Sequence, residues 1–233
     1  MCSRFVQSRG ISEYLKILGL DMTSLKIPAG LCTSKRYNIS PGDRVGILTV
    51  EEGVAKMEAL TWGVRPFWVR EKNWPSTITA RMETAASSKI FGEIWKNGRA
   101  VILADGWYAC CKGRKARQHY YFNLQSEKPL FIAAIGYLRE RALKPYDGDG
   151  FVIVTTESKG SMADIHDRSP LILSAELVRE WMDPDTSEER LVEIIQECLA
   201  QPDVFKWHPV SNVVNSVKHD GQDLVKPKSE DLD

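Results

Sequence analysis

Apolar side chains fall into short runs separated by polar turns, and their spacing predicts the elements. Ile11, Tyr14, Leu15 and Leu18 recur at helical intervals, which predicts a short amphipathic helix over 11–18. Arg44–Val50 and Val54–Trp62 read as strands around the turn Glu51-Glu52-Gly53. Thr84–Trp95 reads as a helix that Gly98 is placed to stop. Strands are predicted over Ala100–Tyr108, His119–Leu124 and Leu130–Leu138, then a turn at Asp147-Gly148-Asp149-Gly150 and a strand over Phe151–Thr156. Ala175–Met182 and Thr186–Leu199 read as helices, with Asp185 and Glu188 spaced as a capping box for the second. The strands come in runs joined by short turns and do not alternate with helices. That pattern predicts an antiparallel α+β domain and excludes a doubly wound sheet. There is no internal repeat and no point of division, so the expectation is one domain over 1–225 with a frayed tail over 226–233.

Composition narrows the partners. Lys plus Arg (31) balances Asp plus Glu (31), so any nucleic-acid partner requires a local basic groove, not a global field. Apolar content of 43% and charged content of 27% exclude wholesale disorder, collagen and coiled coil. No apolar run approaches the roughly 20 residues of a membrane span. The start, Met1-Cys2-Ser3-Arg4-Phe5, lacks a secretory apolar stretch. Five cysteines without even spacing do not form a disulfide framework, so a cytoplasmic setting with reduced thiols is expected.

The chemistry-bearing residues are few. Cys110-Cys111 are adjacent, with no second Cys/His pair at zinc spacing, so no metal is expected. There is neither a Gly-rich phosphate loop nor a Gly-x-Ser-x-Gly elbow. Cys2 stands out by position. Removal of Met1 would give one residue an α-amine and a thiol, a pair that condenses with an aldehyde to a thiazolidine ring. Both groups have reactive forms near neutral pH. Position alone also fits an incidental cysteine after the initiator. His166, in Ile165-His166-Asp167-Arg168-Ser169-Pro170, suits proton transfer, with a hydrogen-bonded structural histidine as the alternative. Trp62-Gly63-Val64-Arg65-Pro66-Phe67-Trp68, followed by Arg70 and Lys72, interleaves aromatics with cations. It fits either stacking on unpaired bases or a packed core loop.

Taken together, seven segments resemble the SRAP family, the abasic-site processing proteins also called SOS response-associated peptidases. They are Met1-Cys2-Ser3-Arg4-Phe5, Arg36-Tyr37-Asn38-Ile39-Ser40-Pro41, Trp62-Gly63 with Pro66 and Trp68, Ala80-Arg81-Met82-Glu83-Thr84, Ala104-Asp105-Gly106-Trp107-Tyr108, Ile165-His166-Asp167-Arg168 and Trp207-His208-Pro209-Val210-Ser211. The resemblance implies a single α+β domain with a barrel-like, mostly antiparallel β core surrounded by helices. It implies binding of single-stranded DNA and a covalent thiazolidine link between Cys2 and an abasic sugar, with His166 as acid/base. The peptidase label reflects self-removal of Met1, and no protease triad is visible. Arg4, Asn38, Pro41, Trp68, Arg81 and Arg168 are the expected DNA contacts. An ion pair is the alternative for Arg81 and Arg168, and turn hydrogen bonding is favoured for Asp105. No cofactor, metal or membrane is expected, and the expected state is a monomer. Four positions depart from the family pattern: Thr79 replaces an Asn and Ala109 a Glu, the two that matter most, while Ser3 replaces a Gly and Cys110 a Trp. Asp105, Glu83 and Asp167 are the carboxylates that could substitute. These departures leave a rival reading, a catalytically weakened, non-covalent single-stranded DNA-binding module. A thiol peptidase acting on proteins is the other rival.

Overall fold

The computed structural model describes residues 3–21, 25, 27–28, 35–66, 69, 71–111, 118–138, 150–200 and 204–228. In chain order the elements are β1 (Arg4–Gln7), α1 (Ile11–Ile17), β2 (Arg36–Ile39), β3 (Arg44–Glu51), β4 (Val54–Trp62), β5 (Thr79–Arg81), α2 (Met82–Ala85), α3 (Gly92–Asn97), β6 (Arg99–Ala104), β7 (Gly106–Cys110), β8 (His119–Leu124), β9 (Leu130–Gly136), β10 (Gly150–Glu157), β11 (Arg168–Pro170), β12 (Ile172–Leu173), α4 (Val178–Met182), α5 (Glu188–Leu199) and β13 (Phe205–Val210). The class is α+β, as the strand pattern predicts. Among the described residues no helix is long and apolar enough to cross a membrane.

Two sheets carry the fold. One has five strands in the order β13-β8-β7-β1-β2, and all its neighbours are antiparallel. The other is larger, and five of its strands close a ring: β3 pairs β4 and β6, β6 pairs β9, and β10 pairs both β9 and β4. This ring is the barrel-like core. Strand β10 is its junction. On one edge it meets β4 and then β5 in parallel; on the other it meets β9 and then β11 antiparallel.

The central strands are long apolar runs because both of their faces are covered. Along β6, Val101 and Leu103 face one core cluster, and Ala100, Ile102 and Ala104 face a second. Strands β9 and β10 alternate in the same way. The first cluster takes in the apolar stripes of the helices: Ile11, Tyr14 and Leu15 of α1, and Leu191, Ile194 and Ile195 of α5. The second lies against the five-stranded sheet through Phe5, Trp107, Ala109 and Phe122.

Three sequence expectations change. The stretch predicted as one strand over 100–108 is two strands, β6 and β7, and they belong to different sheets. The break is at Asp105. Its carboxylate accepts from Ser8 N–H (2.6 Å), Ser8 Oγ (2.8 Å) and Tyr14 Oη (2.6 Å), and from Arg9 Nε (2.6 Å) on the other oxygen. The helix predicted over 84–95 is two short helices, because Ser88 Oγ accepts from Ile90 and Phe91 N–H and competes with helix continuation. The predicted capping box gives way to Ser187, whose side chain accepts from Arg190 N–H at the start of α5. Gly98 does end α3, and a Cβ there would lie 2.0 Å from the Gly136 carbonyl oxygen, so close backbone approach demands glycine. The expected turn at 147–149 lies outside the described residues. So do residues 229–233 of the expected tail, while Lys228 N–H bonds the Pro209 carbonyl (2.8 Å).

The Asp105 cluster makes a sharp stability prediction. Asp105→Ala leaves a buried amide, two hydroxyls and Arg9 without their acceptor. The expected cost is about 3 kcal/mol, or roughly 6–12 °C in thermal midpoint for a chain of this length. A midpoint within about 2 °C of the parent in a thermal melt would show that the cluster does not hold the strand switch.

Candidate active site

The chemistry-bearing motifs converge on the C-terminal end of β10. Strand β5 pairs there with Ala80 opposite Val154 and Arg81 opposite Thr155, and β11 pairs with Arg168 opposite Glu157. Thr155 Oγ1 donates to the Ala80 carbonyl (3.2 Å), which stitches β5 to β10. His166 arrives on the turn before β11 and is buried, with 4% of its surface exposed. Its Nδ1 accepts from Arg168 N–H (3.0 Å) and lies 3.1 Å from the Arg168 carbonyl and 3.0 Å from Asp167 Oδ1.

Arg168 is clamped. Its two terminal nitrogens each meet one oxygen of Glu83, both at 2.9 Å, in a bidentate pair, and the second also contacts Thr155. This is the ion pair that stood as the alternative to a phosphate contact. The guanidinium holds the Glu83 carboxyl below its ordinary range, chiefly through these hydrogen bonds. The Arg168 Nε–H is buried and has no hydrogen-bond partner among the described residues. Arg81 is exposed.

A second group forms where β1 meets β2. Arg4 donates to Asn38 Oδ1 (2.9 Å) and to the Asn215 carbonyl (2.7 Å). Burial lowers the Arg4 pKa from its ordinary value, with Asp43 opposing. Buried Asn38 donates its amide to the Ser216 and His219 carbonyls (2.9 and 2.7 Å). Arg4 and Asn38 thus moor the 212–219 segment, whose Val213 and Val217 are exposed. Pro41 is exposed on the turn between β2 and β3, where Gly42 takes a positive φ of 93° and its N–H bonds the Trp62 carbonyl (2.9 Å).

The departing positions Ala109 and Thr79 lie on β7 and β5. Ala109 lies on β7 opposite Tyr120, 4% exposed. Its core cluster includes Phe5, next to Arg4, and Ile165, next to His166, and Ile78, next to Thr79, packs against it. Thr79 is half-buried on β5 opposite Ile153. Cys2 and Trp68 lie outside the described residues, as does Arg70. The other histidines make local contacts: His119 with Asn212 (2.9 Å), His208 with the Val225 carbonyl (2.9 Å) and His219 with Asp223 (2.8 Å). Among the described residues, Cys110, Cys111 and Cys198 are not in disulfides, and burial pushes the Cys198 thiol up to about 11. No cluster of three or more potential metal ligands occurs among the described residues.

The sequence model of the family described as SOS response associated peptidase (SRAP) matches residues 1–217. The chain belongs to the SRAP family. It is 37% identical to the abasic site processing protein YedK of Escherichia coli, over 97% of this chain and all of that one. It is 27% identical to the abasic site processing protein YoqW of Bacillus subtilis, over 97% and 99% of the two chains. Among solved structures, a phage-related protein from Bordetella bronchiseptica superposes with a TM-score of 0.71 at 32% identity, covering 91% of this chain and 95% of that one.

Within the SRAP frame, the sequence did not reveal which partners the site residues choose. Thr155 carried no signal beyond its place in an apolar strand, and the 212–219 segment was marked only by the Trp207–Ser211 motif before it. Glu83 was noted as a carboxylate near a motif; its pairing with Arg168 across 85 residues is a product of the β5–β10–β11 pairing.

The clamp has a pH signature. The Glu83 pKa is lowered in the folded state, so its contribution to stability is fully present above the ordinary value of 4.5 and is lost as pH falls through the folded value. Glu83→Gln should therefore lower the melting midpoint at pH 7, and the gap to the parent should close on acidification below about pH 4. A gap that stays constant from pH 7 to pH 3 would mean that the ion pair does not operate.

Proposed function

We propose that this SRAP protein binds single-stranded DNA and joins covalently to abasic sites through Cys2, once loss of Met1 frees its amine. The single observation that carries the reading is the convergence of Arg81, His166 and Arg168 at one end of β10. The names of the curated relatives, abasic site processing proteins, support the same substrate. An abasic sugar is a cyclic hemiacetal in equilibrium with its aldehyde. Ring opening moves one proton onto the ring oxygen and takes one from the anomeric hydroxyl, and a histidine can serve either transfer. The amine then adds to the aldehyde and loses water to give the imine, and the thiol closes the five-membered ring on the imine carbon. Arg4, Asn38, Pro41, Trp68, Arg81 and Arg168 are the proposed DNA contacts. The unpartnered Arg168 Nε–H is a donor suited to a phosphate oxygen. A monomer in the reducing cytoplasm suits a thiol nucleophile.

Cys2→Ala tests this reading. The variant should lose all heat-stable adduct with an abasic oligonucleotide on a denaturing gel while keeping salt-sensitive binding to single-stranded DNA within about threefold. An adduct that persists in Cys2→Ala would assign the chemistry to another nucleophile.

One observation favours the second reading, a non-covalent single-stranded DNA-binding module. The position that carries a carboxylate in the family is a buried methyl group, Ala109, inside an apolar cluster. If that loss limits the reaction, Ala109→Glu should raise the single-turnover crosslinking rate toward the ~10²-fold that general acid–base catalysis typically supplies. Burial of the new carboxylate will lower the thermal midpoint. A folded variant no faster than the parent would sink the limiting role of Ala109.

A further inference from the structure

We propose that Asp167 is the positioning residue that sets the protonation and tautomer of His166. The role rests on the reading of His166 as the proton-transfer group. Three carboxylates lie in the motifs around the site, and the geometry separates them. Asp105 is bound to Ser8, Arg9 and Tyr14 at the strand switch. Glu83 has one oxygen on each terminal nitrogen of Arg168. Asp167 is the one of the three with an oxygen against the imidazole, 3.0 Å from Nδ1. Among the described residues, Asp167 is a charged partner in hydrogen-bond contact with the ring.

The surroundings of Nδ1 are in competition. The Arg168 N–H at 3.0 Å favours a bare Nδ1. The Arg168 carbonyl at 3.1 Å and Asp167 Oδ1 at 3.0 Å favour Nδ1–H. Both main-chain groups are fixed by the β10–β11 pairing, so the side chain of Asp167 decides the balance. With its carboxylate charged, the proton resides on Nδ1, and Nε2 is the unprotonated nitrogen that can take a proton from the sugar. Without that charge, the Arg168 N–H prevails and the neutral ring carries its proton on Nε2. Among the described residues, the charged groups on these elements are Lys159, Asp164 and Asp167 on the β10–β11 connection, Glu157 and Arg168 from β10 and β11, and Arg81 and Glu83 from β5 and α2. Arg168 and Glu83 neutralise one another through their bidentate pair. Asp167 is 62% exposed, so solvent screens its effect and the expected shift is modest.

The test is nitrogen NMR of the His166 ring against pH in the DNA-free protein, for the parent, Asp167→Asn and Asp167→Glu, with Asp167→Ser as a second removal should the amide disturb the fold. The parent should hold the neutral-ring proton on Nδ1. Asp167→Asn should move it to Nε2 and lower the titration midpoint by about half a pH unit, and Asp167→Glu should restore both. An unchanged tautomer and midpoint in folded Asp167→Asn and Asp167→Ser would overturn the proposal. Crosslinking rates on one abasic oligonucleotide across the same pH range form the second arm. Their acid limb should shift with the NMR midpoint. If the midpoint moves but the rate profile does not, the Asp167–His166 coupling stands and the proton-transfer role of His166 falls.

Discussion

A single carboxylate decides where the chain changes sheets. Between Arg99 and Cys110 the backbone is almost continuously extended, yet its first half belongs to the ring and its second half to the five-stranded sheet. Asp105 sits at the joint and gathers the Ser8 amide, the Ser8 and Tyr14 hydroxyls and Arg9. These partners all come from the end of β1 and the start of α1. The same contacts that bend the chain therefore hold β1 against β7, with Arg4 opposite Tyr108 and Phe5 opposite Trp107. Burial beside this carboxylate pushes the Tyr14 hydroxyl pKa far up, so Tyr14 remains a neutral donor across the physiological range. Every placement of the chain's beginning relative to Ala109 depends on this arrangement.

The second constraint is the position of β10 in the ring. Strand β10 has little freedom of register, because a one-residue slip would exchange the side chains that face the two core clusters. Strand β10 has four neighbours, and its last residues hold β5 on one side and β11 on the other. The side chains of Glu83 and Arg168 are brought together by that pairing, and Arg81 stands opposite Thr155. Thr155 belongs to both edges at once: its hydroxyl donates to the Ala80 carbonyl and contacts Arg168. The arrangement is stiff, which suits chemistry that depends on proton transfer over hydrogen-bond distances.

The clamp on Arg168 bears on DNA binding. A guanidinium already paired with a carboxylate offers less to a phosphate than a free one, but the bidentate pair leaves Nε–H unpaired and orients it. Glu83 holds the guanidinium of Arg168, and the N–H and carbonyl of the same residue both meet His166 Nδ1. The ion pair and the histidine are thus one mechanical unit. Elsewhere, Arg4 and Asn38 hold the 212–219 segment, and the apolar cluster that contains Ala109 includes Phe5, beside Arg4, and Ile165, beside His166.

How much of this was legible in the sequence depends on the range of the forces involved. The hairpin of β3 and β4, helix α1, and strands β8, β9 and β10 follow from local periodicity, because burial of alternate or i, i+3, i+4 positions is written directly in the residue order. The motifs also marked Arg4, Asn38, Arg81, His166 and Arg168 as a set, since their residue types and order resemble one family. The short strands β1, β2, β5, β11, β12 and β13 left little periodic signal; two to six residues are too few to define a face. The split at Asp105 and the break at Ser88 escaped as well, because each depends on side-chain hydrogen bonds that compete with regular structure. The linear chain favoured turn hydrogen bonding for Asp105, but the choice between Glu83 and Asp167 was invisible in it. Three carboxylates of the same chemistry differ only in what the folded strands set beside them. Tertiary pairing placed one at a sheet switch, one against Arg168 and one against His166.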